Sequence, residues 1–184
     1  DHQDTRVAMS VRMHLLWDLQ RLDEAVDIGE RTLEARTRVL GPEHPDTLIS
    51  ANNLAALYYD LKRIDDAMAM HERILEVRRR ILGSDHPHTL ATLNNLASAC
   101  ITDGRDVQRA EELFLELLER MPRVLGEDHP NRAIASHNLA RLYRNQERYA
   151  EAEPHSLMAA DLARRTMPEG HWQIGALPTS QGAT

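Results

Sequence analysis

The cluster Leu-Gly-x-x-His-Pro occurs three times in this chain of 184 residues, at 40–45, 82–87 and 125–130. Each copy is followed at a fixed distance by Asn-Leu-Ala (53–55, 95–97 and 138–140) and then by a further alanine, Ala67, Ala110 or Ala152. The step is 42 or 43 residues, and it extends in both directions: His44 predicts His2, and His129 predicts His171. A period of this length marks an array of short supersecondary units, each burying its apolar face only against its neighbours. Function must then be sought on the stacked surface. The period divides one array, 1–184, into repeats 2–43, 44–85, 86–128 and 129–170, with 171–184 an incomplete fifth repeat or tail.

Aliphatic residues and alanine dominate an apolar content of 42%, while aromatics reach only 4%, which favours packed helices over strands. A net charge of -7 disfavours nucleic acid and anionic membrane as partners. Lys62 is the only lysine among 22 cationic residues. The single cysteine, Cys100, excludes an intrachain disulfide and stands where other repeats have Tyr58 and Tyr143, so it reads as a small buried hydrophobe. No apolar run approaches the ~20 residues of a membrane span, and the start lacks signal-peptide character. A cytoplasmic protein is expected, and one that is an excerpt of a longer chain, since it lacks an initial methionine.

Within one unit, Pro45 pre-sets a helical φ and His44 stands beside it as the cap. Apolar residues from Thr47 to Leu61 recur at three and four, which gives helix A; Ala67 to Leu82 keep that spacing until Gly83, which suits a left-handed helix end and gives helix B. The third unit has the cleanest stripe, including Leu113, Phe114, Leu117 and Met121. Alanines 55, 97 and 140 on helix A meet alanines 67, 110 and 152 on helix B, because helices only ~8–10 Å apart need small side chains where they cross. Unit one has Met13 and Arg12 in place of the alanine and the leucine before it, so its helix A is expected to pack less closely and fray first. The extra residue of unit three falls between Thr102 and Gln108, in a longer turn around Gly104. Pro122 should kink helix B or end it near Met121, whereas Pro154 lies near its helix start and should be tolerated. Arginines in the last turns, among them Arg36, Arg38, Arg78, Arg164 and Arg165, should oppose the negative helix end while remaining solvated.

With Asn-Leu-Ala, a tyrosine and a later alanine on paired antiparallel helices, the chain resembles tetratricopeptide repeats. The long unit and its Leu-Gly-x-x-His-Pro junction look like the kinesin-light-chain class, which is widespread in bacterial proteins. The resemblance implies an all-α, right-handed superhelical solenoid of antiparallel helix pairs. Pro-Glu-Gly-His-Trp at 168–172 is similar to unit starts in arrays attached to bacterial serine/threonine kinases, and comparable arrays follow nucleotide-switch regulators. A sensor or self-association module of such a regulator is therefore an alternative role. No Gly-rich loop, His-Arg-Asp loop or Asp-Phe-Gly motif occurs in this sequence.

Ten histidines invite a metal, yet His44, His86 and His129 recur one per unit, far from the convergence within ~2–2.3 Å that a metal needs. They read as caps, and no metal or cofactor is expected. No phosphate loop, nucleophile elbow or cysteine-pair motif is present, so no catalytic residues are assigned. The resemblance implies that the inner face of helix A lines a concave groove for a peptide or partner segment. If Leu54 and Ala55 point into the stack, Asn52, Asn53, Ala56 and Tyr59 project toward that groove. The same offsets select Asn94, Asn95, Ser98 and Ile101, then His137, Asn138, Arg141, Arg144 and Asn145, with His14, Trp17 and Asp18 in the first unit. Asparagine carries a donor and an acceptor and matches a peptide backbone whatever its side chains, or it bonds neighbouring helices and fixes curvature; both readings stand. Arg141 and Arg144 suit a carboxylate, so the expected ligand is acidic. Trp172, Ile174 and Leu177 are expected to cover the last helix, with Pro178 opposing a full fifth helix A. Self-association through exposed array ends is a further expectation.

Overall fold

The computed structural model describes residues 3–102, 104 and 106–166, with side chains described at 9 and from 11 onward. His2, His171, Trp172, Ile174, Leu177 and Pro178, for which the sequence raises expectations, lie outside the described residues. Among the described residues there are eight α-helices and no strand. They are α1 Gln3–Asp18, α2 Leu22–Leu40, α3 Pro45–Asp60, α4 Ile64–Leu82, α5 Pro87–Thr102, α6 Val107–Leu125, α7 Pro130–Asn145 and α8 Tyr149–Thr166. The chain forms two compact units, Asp1–Leu113 and Phe114–Thr184. In the first, α1 packs on α2, α2 on α3, α3 on α4 and α4 on α5; in the second, α7 packs on α8.

The junction cluster explains where helices begin and end. His44, His86 and His129 each accept a backbone N–H through Nδ1, from Asp46, His88 and Asn131 respectively, all at 3.1 Å. An accepting Nδ1 is unprotonated, so each cap uses the Nε2–H tautomer. The proline after each cap occupies the first helical position, where its missing N–H leaves no carbonyl unpaired. Gly41 and Gly83 close α2 and α4 with φ/ψ of 93/160° and 88/162°. Their φ is positive as expected, but ψ is extended rather than left-handed helical, a region essentially closed to other residues.

A second periodic feature sits in the turns from A to B helices. Gln20, Lys62 and Glu147 adopt φ of 58°, 63° and 61°, and Gly104 takes 64° at the matching place. The third connection, between Thr102 and Val107, is one residue longer than that between Asp60 and Ile64, so the insertion stays in the turn.

The alanine landmarks are core residues: Ala55, Ala67, Ala97 and Ala110 are 0% exposed. Three expectations need correction. Met13 does not pack loosely: it is buried, and a Cβ placed on Gly29 would lie only 3.2 Å from its Sδ and 3.1 Å from Leu54 Cδ1. A larger side chain on α1 is matched by the loss of one on α2. Arg36 and Arg78 are not solvated. Arg36 Nη1 donates to the Asp46 carbonyl (2.9 Å) and Ser50 Oγ (2.6 Å), and Arg78 Nη1 to the His88 carbonyl (2.9 Å) and Thr92 Oγ1 (2.5 Å). Each ties the end of one B helix to the start of the next A helix. Finally, of the kink or early end expected at Pro122, the early end does not occur: α6 continues through Pro122 to Leu125, because the proline removes a single bond in a turn that the buried Met121 anchors. Pro154 likewise lies within α8, which runs on to Thr166.

Candidate functional site

The A helices of the first unit are joined through polar side chains on one face. Between α1 and α3, Trp17 Nε1–H donates to Asp60 Oδ2 at 2.7 Å, and the Asn53 amide nitrogen lies 3.4 Å from His14 Nε2. Between α3 and α5, Asn95 Nδ2 donates to Asn52 Oδ1 at 3.4 Å, and the Thr102 hydroxyl sits 2.8 Å from the Tyr59 hydroxyl. The Trp17–Asp60, Asn52–Asn95 and Tyr59–Thr102 pairs all span 43 residues. This spacing is one more than the 42-residue step between these A helices, so each side chain reaches the residue after its counterpart in the next A helix. His14 stacks on Trp17 with ring centroids 6.3 Å apart, and Lys62 Nζ lies 5.7 Å from the centre of the Tyr59 ring.

The structure therefore brings Asn52, Asn53, Tyr59 and Asn95 onto one hydrogen-bonded face, together with His14 and Trp17. All of these but the exposed His14 are half-buried. Ser98 is half-buried on the same helix as Asn95, and its carbonyl is 3.1 Å from the Thr102 hydroxyl. Asn94 differs: its Oδ1 is shielded from solvent and accepts no hydrogen bond. Asp60 and Thr102 were missed by sequence reasoning. The repeat step would have found them, since Asp60 follows Asp18 by 42 residues and Thr102 follows Asp60 by the same number.

In the second unit, α7 carries the remaining predicted residues. His137 and Asn138 are half-buried, Arg144 is half-buried, and Arg141 and Asn145 are exposed. Burial lowers the His137 pKa from its ordinary value, and the Arg144 and Arg141 guanidinium charges lower it further. Neither arginine has an acidic partner within ion-pair distance among the described residues, whereas Arg148 in the following turn is held by Glu151 at 2.6 Å. This helix face therefore carries two guanidinium charges beside His137. The first-unit face mixes amides, hydroxyls, an indole and the Asp60 carboxylate.

Among the described residues no cluster of three or more His, Cys, Asp or Glu side chains could hold a metal. Cys100 is buried, and desolvation, with the Asp106 charge adding to it, pushes its thiol up to about 11, away from the thiolate a nucleophile requires. No described helix is long and apolar enough to cross a membrane.

The model of the tetratricopeptide repeat matches at residues 13–77, 50–108 and 105–165. A crystal structure of a Podosopora anserina putative kinesin light chain with nearly identical TPR-like repeats is 26% identical, with a TM-score of 0.76, covering 89% of this chain and 77% of that one. BtubC (BKLC) from P. vanneervenii is 20% identical with a TM-score of 0.78, covering 97% of this chain and 68% of that one. The apo form of RapI is 18% identical with a TM-score of 0.74, covering 88% and 57%. These last two share the fold. No curated protein sequence matches.

Proposed function

Because this chain belongs to the tetratricopeptide repeat family, whose kinesin-light-chain-like members it resembles and whose arrays act as protein-interaction scaffolds, we propose that it receives an extended peptide or partner segment along its helix-A face. The array is one domain, 1–184, of repeats 2–43, 44–85, 86–128 and 129–170, and it works in the cytoplasm without catalysis of its own. Asn52, Asn53, Asn94, Asn95, Ser98 and Tyr59 present donors and acceptors to the segment's backbone. On the second unit, taken by itself, His137, Asn138, Arg141, Arg144 and Asn145 suit an acidic segment.

One observation carries this reading. Polar side chains bond from one A helix to the next at a constant 43-residue spacing while staying half-exposed, so they are ordered before a ligand arrives. Pre-ordering lowers the entropy cost of binding. The same bonds serve curvature as well, so the two roles of asparagine weighed above coexist.

The test is titration calorimetry of the intact chain with a blocked ten-residue peptide of glutamate and alanine. Asn95→Ala combined with Arg141→Glu should weaken binding about tenfold or more, with helicity by circular dichroism unchanged. Unchanged affinity would reject the assignment.

A further inference from the structure

The first unit carries a groove that shares no residue with the helix-A face. It is walled by α2 and α4 and floored by α3, with a volume of about 460 Å³, within the range typical of ligand sites. Leu33, Leu54, Tyr58 and Met70 form its apolar surface, and Glu30 and Glu34 stand on its rim.

The repeat makes this groove comparable with its own counterpart one step later. Leu33 and Met70 are half-buried, whereas the matching Leu75 and Leu113 are 3% and 1% exposed. The first repeat leaves open what the next one closes. The rim charges differ too: where the first repeat has Thr37 and Arg38, the second has Arg79 and Arg80. Glu24 and Asp27 of the same helix are held by Arg21 and Arg31, whereas Glu30 interacts with the Arg63 charge, and Arg38 lines the same groove as Glu34. Glu30 Oε1 accepts the Tyr58 hydroxyl at 2.7 Å, which fixes the carboxylate over the groove and leaves its other oxygen to receive a donor. Burial, with Glu30 adding to it, pushes the Tyr58 phenol up to about 12, so it remains a donor at any working pH.

We propose that this groove is a second docking site, for a partner segment in which an aliphatic side chain lies over the half-buried Leu33 and Met70 while an adjacent arginine or lysine reaches Glu30 and Glu34. Apolar contact supplies the affinity, and the paired carboxylates select against acidic segments. The ligand's charge is thus opposite to that expected at Arg141 and Arg144.

The experiment uses the intact chain and two blocked ten-residue peptides, one of leucine, arginine and alanine and one with glutamate in place of arginine. The arginine peptide should bind more tightly. Glu30→Arg with Glu34→Arg should weaken it about tenfold or more, while Glu119→Arg with Glu153→Arg, the same charge change elsewhere, should alter it less than about twofold. Equal losses in both double variants would show general attraction to an acidic chain and overturn the site. Equal binding of the two peptides would also overturn it. So would a concentration-dependent dimer of the protein alone that the Glu30→Arg, Glu34→Arg variant abolishes, which assigns the groove to a second copy.

Discussion

His71 occupies a place in α4 that Gly29 holds one repeat earlier and Phe114 one repeat later. It is 2% exposed, its Nδ1 has no partner, and desolvation, with the Arg78 charge adding to it, lowers its pKa from 6.5 to about 4. The folded chain therefore holds the imidazole neutral in a range where the unfolded chain protonates it. Stability is complete above pH 6.5, falls as the pH drops from 6.5 toward about 4, and levels off below that. The interval corresponds to a loss on the order of 3 kcal/mol. His71→Phe, which copies the side chain at 114, should flatten this slope in urea melts at pH 7 and pH 4.5. An identical slope in the variant would remove His71 as its source. Gly83 offers a second test. With φ near 88° and extended ψ, Gly83→Ala should cost about 1–3 kcal/mol through strain alone, since nothing lies within 4 Å of the added carbon. An unchanged urea midpoint would contradict the backbone argument.

At the scale of helices, the buried arginines set how one hairpin meets the next. Arg36 bonds Ser50 and Arg78 bonds Thr92, yet the corresponding residues one repeat later are Met121 and Ala135, which are 1% and 0% exposed. The ionic clip and the apolar pair are alternative solutions, and mixing them is costly. Burial lowers the Arg78 pKa, a desolvation cost that the acceptors it meets offset. Arg78→Met should destabilise by about 2–3 kcal/mol because the buried Thr92 hydroxyl oxygen loses its donor, while the His88 carbonyl keeps only the Thr92 hydroxyl. Adding Thr92→Ala should recover at least about half of that loss. Strict additivity in the double-mutant cycle would show that the pair is not a unit. Much of this level was legible in the sequence: the caps, the proline starts, the alanine crossings and the turn that takes the insertion all follow from local chemistry. The clips were not. An arginine near a helix end looks the same whether it meets water or the next helix, and only the residue fourteen positions on, Ser50, Thr92 or Ala135, distinguishes the cases.

For the molecule as a whole, periodicity fixed the architecture because the hairpin is the unit of both sequence and packing. The same logic located Asn52, Asn53, Tyr59 and Asn95 on one face, since bonds that span 43 residues recur wherever the side chains allow. It misjudged Met13, because compensation by Gly29 depends on a contact between helices that no single-helix pattern contains. It also gave no sign of the groove beside Glu30, whose openness depends on how far Leu33 and Met70 are covered. The central claim is that the ordered amides of the A helices touch the ligand. The most direct measurement is the ¹⁵N chemical shift of the asparagine side-chain amides during titration of the chain with the glutamate–alanine peptide. The account predicts saturable shifts at Asn52, Asn53, Asn95 and Asn138, with the outer-face amides of Arg31 and Arg73 unmoved. Shifts confined to α2 and α4, with the asparagine amides unchanged at saturation, would contradict it.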